Sequence, residues 1–297
     1  DIRDLFLILF KRKLLISIIT STAAILSITY SLSLPNIYTS KTLLAPVSTD
    51  DSLSSKLGGS FSSLAGLSGF TLPGENATKG KEGIERIKSF EFFSTYLLPN
   101  IKLEDIFAVK NWDSSTNTII YNKKLFNQKE SKWVRKVSHP KKIIPSDQEA
   151  YEKYIDIMRI TENKQTSFVT LSIDHESPIM AKNWVEIIIK NINQSMREEE
   201  EKKAQSSINF LNESAKLTNI QSLKDAISSL LESQMQILML AASNDDYIFK
   251  IIDSPIAPEE KSSPRRALIC IIGTLLGVAL SLFITFFQYY REAYRKS

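Results

Sequence analysis

Two long stretches without a single charge, one near each end, constrain this chain more than anything else in it. Residues 14–34, LLISIITSTAAILSITYSLSL, and residues 267–287, ALICIIGTLLGVALSLFITFF, contain no Asp, Glu, Lys or Arg. At 1.5 Å rise per residue each forms a helix roughly 31 Å long, matching a hydrocarbon core about 30 Å thick. The first stretch is too long for the apolar region of a signal peptide and lacks a small-residue cleavage site. Two transmembrane helices are therefore expected, with a polar domain between them. The overall composition, 43% hydrophobic and 24% charged, looks like that of a soluble protein because the average conceals this distribution.

Charge sets the expected orientation. Arg3, Lys11, Arg12 and Lys13 precede the first stretch; Arg291, Arg295 and Lys296 follow the second. Short basic tails stay in the cytoplasm, whereas a long loop translocates largely regardless of its lysines. The expected layout is a cytoplasmic tail (1–13), a span (14–34), an exported domain (35–266), a second span (267–287) and a cytoplasmic tail (288–297). The central domain is therefore expected outside the cytoplasmic membrane, in the periplasm if there is an outer membrane. Cys270, the sole cysteine, lies in the second span, so the exported domain gains nothing from disulfides.

Within that domain, Tyr38 to Leu44 reads as a strand after Pro35 ends the first helix. A Ser- and Gly-rich loop follows, DSLSSKLGGSFSSLAGLSGFTLPGENATKG, with Leu64, Leu67 and Phe70 spaced for some packing. Lys81 to Leu98 has helical apolar spacing. Residues 110–142 are lysine-rich and irregular, a solvated surface; Asp113, Glu130 and the exported location argue against nucleic acid. Ser146 and Glu149 form a capping box. Residues 155–175 read as a hairpin turning at ENKQT, and 247–253 as a closing strand. Ser177 and Pro178 start the longest helical tract, whose charged run MREEEEKKAQ reads as a solvated face.

The apolar phase of that tract slips at LTN (217–219), and a turn between antiparallel helices is preferred over a stutter. The fold class is α+β: a mixed sheet-and-helix base (35–176 and 244–266) carries a projecting helical arm (177–243). So long an arm has little monomer core to pack on, which predicts lateral self-association. Chemistry is scarce. His139 and His175 are far apart with no cysteine partners, a poor metal site. No nucleophile elbow, phosphate loop or metalloprotease motif occurs. Glu104/Asp105 and Asp245/Asp246 are adjacent carboxylates, read as surface groups. No catalytic residue, metal or cofactor is expected.

The junction before the second span carries most of the remaining signal. In SPIAPEEKSSPRRALICIIGTLLG, Pro255, Pro258, Ser263, Pro264, Arg265 and Arg266 precede Gly273 and Gly277, with Ser281 four residues further on one helix face. The prolines favour an extended connector, the arginines can anchor at lipid headgroups, and the small residues make a groove another helix can approach. This pattern resembles the proline-rich motif of the Wzz, or chain-length determinant, family of polysaccharide co-polymerases. YIFKIIDSP, PNIYTSKTLLAP, GGSFSSLAGLSG and SLLESQMQILMLA also resemble family tracts.

The resemblance implies a ring- or bell-shaped homo-oligomer, often an octamer. Its implied role is to set the modal length of O-antigen or a related glycan made by a Wzy-type polymerase on lipid-linked repeats. Polymerase, lipid-linked glycan and membrane lipid are the implied partners. The alternative is a capsule or exopolysaccharide export component working with a separate cytoplasmic tyrosine kinase, for which the tail QYYREAYRKS would be the docking point. A sensor ectodomain lacks an output after the second span, and a carbohydrate-processing enzyme lacks an acid/base pair.

Overall fold

The computed structural model describes residues 12–47, 75–243 and 245–296, and the chain divides into two compact units. Lys11 and nearly all of the Ser- and Gly-rich loop fall outside the described residues, as do the side chains of Tyr289, Tyr290, Arg295 and Lys296.

The first unit joins the two chain ends, residues 1–38 and 260–297. Its helices are α1 (Lys13–Ser33) and a last helix (Arg266–Lys296), whose apolar portion runs from Arg266 to Gln288. Both are long and apolar enough to cross a membrane. Each begins one residue before the sequence-based boundary, and the second continues well past residue 287. Their outward faces are apolar, with Leu26, Ile18, Leu275, Leu276 and Phe283 all exposed. Hydroxyls within them bond their own helix: Thr20 Oγ1 to the Ile16 carbonyl (2.8 Å), Thr274 Oγ1 to that of Cys270 (2.7 Å). Such a bond satisfies a hydroxyl without need of a water.

The second unit, residues 39–259, is the α+β base with its arm. Strands β1 (Tyr38–Pro46), β6 (Met158–Glu162), β7 (Val169–His175) and β8 (Phe249–Asp253) form one sheet in the order β6-β7-β1-β8. β6 and β7 are an antiparallel hairpin, Met158 opposite Ile173 and Glu162 opposite Val169. Its turn is built by Asn163, whose Oδ1 accepts from the Gln165 and Thr166 amides. β1 and β8 are also antiparallel, with an irregularity between Leu43 and Leu44 that leaves Ile252 as the extra residue. Strands from opposite ends of this unit thus become neighbours.

Alternation points Val169, Leu171, Ile173 and His175 of β7 inward, with Ser40, Thr42 and Leu44 of β1. Against this face packs the first half of α5 (Pro178–Leu217), through Trp184, Val185, Ile188, Ile189 and Ile192. Burying each such side chain contributes about 1.5–3 kcal/mol. Helix α2 (Glu75–Ile87) adds Ile84 and Ile87, and α4 (Asp147–Ile157) adds Ala150 and Tyr154. The capping box of α4 is present, Ser146 accepting from the Glu149 amide and Glu149 from that of Ser146.

Two sequence readings need correction. Residues 110–142 are irregular only in part. They contain two small antiparallel ribbons, β2 (Val109–Asp113) with β3 (Thr118–Tyr121) and β4 (Phe126–Asn127) with β5 (Lys132–Trp133). Edge-on contacts hold them: Tyr121 to Phe126 at 5.5 Å, Phe126 to Trp133 at 5.3 Å, and Phe107 of α3 (Leu103–Phe107) to Trp133 at 6.4 Å. The charged run in α5 is not simply solvated either. Glu199 pairs with Arg86, and Glu200 with Lys79 at 3.5 Å, tying α2 to the root of the arm.

Beyond residue 197, α5 leaves the core, and only Ala204 and Ile208 are buried. Thr218–Ile220 break the helix, and α6 (Gln221–Ser243) returns alongside it. Arg197 meets Asp245 at 3.2 Å near the base, while Leu211 and Leu230 line one groove further out. The arm is an antiparallel helical hairpin.

Candidate functional site

The helix now numbered α7 (Arg266–Lys296) brings Gly273, Gly277 and Ser281 to the face that meets α1. A Cβ built on Gly273 would lie 2.6 Å from Ser27 Cβ, and one on Gly277 would lie 2.5 Å from Ala23 Cβ. Only glycine permits so close an approach. The proximity also lets Ser27 Oγ donate to the Ile269 carbonyl at 2.9 Å, an interhelical hydrogen bond. Ser281 is fully buried and donates to the Val278 carbonyl. At the other end of the pair Arg12 donates to Gln288. Ala23 and Ser27 were not singled out from sequence, yet they occupy the glycine groove: the helix that fills it belongs to this same chain.

The connector into α7 is extended. Its residues pair with those leaving α1: Ile37 N–H donates to the Ser263 carbonyl and Ser262 N–H to that of Ile37, both at 2.9 Å. Arg266 donates to Asn36 Oδ1 at 3.0 Å and is half-buried, whereas Arg265 is exposed. Pro264 is half-buried. Within the base, Pro255 is buried and Pro258 half-buried. Pro255 has no N–H to give a strand neighbour. The link to β1 is made instead by β1 hydroxyls, Thr42 Oγ1 donating to the Asp253 carbonyl (2.6 Å) and Ser40 Oγ to that of Ile256 (2.7 Å). Lys13 and Arg291 are exposed at the outer turns of the helix pair.

The arm presents an apolar surface that the monomer leaves open. Phe210, Leu217, Ile220, Leu223, Met235 and Met239 are 47–85% exposed. Ile227 and Ala241, by contrast, close the hairpin.

Asp105, read as a surface carboxylate, is buried and accepts from the Tyr121 hydroxyl at 2.5 Å. Burial pushes its carboxyl above the ordinary range, with the Tyr121 hydrogen bond working against the shift. His175 accepts at Nδ1 from the Ser177 amide (2.9 Å), so it donates from Nε2 to the Asp105 backbone carbonyl (3.0 Å). Burial holds it neutral by lowering its pKa. Both ring nitrogens are engaged, and the ring sits edge-on to Trp184 at 5.0 Å. The group pins α3 to the start of α5 and has no nitrogen left for proton transfer. His139 is exposed and distant in sequence.

Residues 1–90 match the family model for Wzz, chain length determinant protein. A full-length bacterial polysaccharide co-polymerase is similar in structure at 16% identity and a TM-score of 0.45, covering 100% of both chains. A fragment of WzzB, a polysaccharide co-polymerase from Salmonella Typhimurium, is similar at 12% identity and a TM-score of 0.32. It covers 77% of this chain and 100% of that one. No curated protein matches the chain.

Proposed function

We propose that this chain is an inner-membrane polysaccharide co-polymerase that sets the modal length of O-antigen or a related surface polysaccharide made by a Wzy-type polymerase. It acts as an oligomeric scaffold, not as an enzyme. The observation that carries this reading is the Wzz chain-length-determinant match over residues 1–90. The proline-rich resemblance, at residues 255–266, lies at the opposite end of the chain and supports it separately. Both termini lie in the cytoplasm and the base and arm in the periplasm, following the basic tails. The open apolar face of the arm is where copies of the chain meet in a ring.

The test is deletion of the gene followed by gel analysis of the surface polysaccharide. The expected result is loss of the modal length distribution with polymer still made, and its restoration by the intact gene. An unchanged distribution would refute the proposal. Loss of polymer from the surface, with no change in its length, would favour the export role instead.

A further inference from the structure

Beside the root of the arm lies a polar groove of about 400 Å³, lined by Tyr96, Asn100, Ile187, Lys190, Asn191 and Gln194. That volume falls within the range of about 300–1,000 Å³ for small-ligand clefts. Its wall is an unusual piece of backbone. Phe93–Leu97 form a π-helical turn, with the Leu98 amide reaching back to the Phe93 carbonyl, followed by a 3-10 turn at Leu98–Asn100. Single π turns occur frequently at functional sites. Here the turn leaves the Tyr96 carbonyl for side chains: Asn100 Nδ2 donates to it at 2.7 Å and Asn191 Nδ2 at 2.5 Å.

Those bonds fix which way the amides point. A carbonyl can only accept, so Asn100 and Asn191 must each present NH2 to Tyr96 and turn Oδ1 away. Gln194 is fixed by the same logic, its Nε2 donating to Glu198 Oε1 at 2.8 Å. The Tyr96 hydroxyl donates to Glu198 Oε2 at 3.2 Å, so one carboxylate orients both the ring and the amide. Three amide side chains therefore line one groove, each with one N–H of its NH2 engaged and the other free. Asn191 is only 8% exposed, yet its Oδ1 has no hydrogen-bond partner among the described residues. Lys190 adds one exposed ammonium, also without an ion-pair partner among them.

We propose that this groove binds a short run of sugar rings of the polysaccharide, its amide oxygens accepting from glycan hydroxyls. Amide oxygens beside free N–H groups call for a ligand whose groups both donate and accept. Sugars supply several hydroxyl donors per ring, and their C–H faces suit Ile187 and the Tyr96 ring. The inference rests on the reading of the chain as a glycan co-polymerase and gives that reading a contact point.

The test uses the full chain in lipid nanodiscs, titrated calorimetrically with the delipidated surface polysaccharide of the producing cells and, separately, with dextran. Saturable binding of the cell's own polysaccharide is expected, weakened about tenfold or more in the double variant Asn100→Leu, Gln194→Met. Gln128→Ala, exposed in the turn between β4 and β5, should bind like the parent. Hydrogen exchange of residues 93–101 and 187–194 should slow when polysaccharide is added to the parent. Absence of saturable binding, or equal binding by a correctly assembled double variant, would overturn the proposal. Gene deletion decides the function separately. An altered length distribution without binding sinks the groove alone, whereas binding with an unaltered distribution sinks the length-control role alone.

Discussion

Asn193, almost fully buried in α5, accepts from the Ile248 and Phe249 amides at Oδ1 and donates from Nδ2 to the Phe249 carbonyl, each at 2.9 Å. It stands in for a strand at the start of β8. Asn193→Leu leaves three buried backbone groups unpaired and should cost about 3 kcal/mol or more in thermal unfolding, whereas Asn193→Asp keeps the two acceptances and should cost less. His175 supplies a pH dependence. Its folded pKa is depressed, so the unfolded chain takes up the proton first. Stability is full above about pH 6.5 and is lost as pH falls toward the folded value. Asp105, raised by burial, works in the opposite sense at lower pH. Melting temperature should therefore fall between about pH 7 and about pH 5.5, and less steeply in His175→Gln. Residues with near partners were legible in the sequence: Ser146 caps Glu149 and Ser177 caps Met180, three positions on. Asp105, Asn193 and Asn191 were not, because their partners lie 16, 55 and 95 residues away.

Among the elements, the helix pair and the arm follow most directly from sequence patterns, since length without charge and a slip of apolar phase are both local signals. The ribbons in residues 109–133 escaped notice because strands of two to five residues show too little alternation, and the aromatic contact joining them, Tyr121 to Phe126, crosses from one ribbon to the other. The glycine spacing in α7 was visible, but the identity of the helix that fills the groove was not. Gly277→Leu forces α1 and α7 apart and should cost about 1–3 kcal/mol. The check is a lower melting temperature in nanodiscs with unchanged hydrogen exchange in the β6–β7 hairpin; an unchanged melting temperature would count against close packing. For the arm, Phe210→Asp with Leu223→Asp places charge on the open apolar face. The double variant should fall to smaller species by mass measurement in nanodiscs while keeping its helix content.

For the molecule as a whole, the proposal joins two claims: that copies assemble through the arm, and that the assembly sets glycan length. Neither the polymer nor the subunit number is legible in residues 1–297, because both depend on surfaces that only a partner completes. The direct measurement is the length distribution of surface polysaccharide from cells whose only copy of the gene carries Phe210→Asp and Leu223→Asp, alongside the assembled mass of that variant. Loss of the modal length together with loss of the large assembly is the predicted result. A parental modal length made by a variant that no longer assembles would contradict the scaffold account.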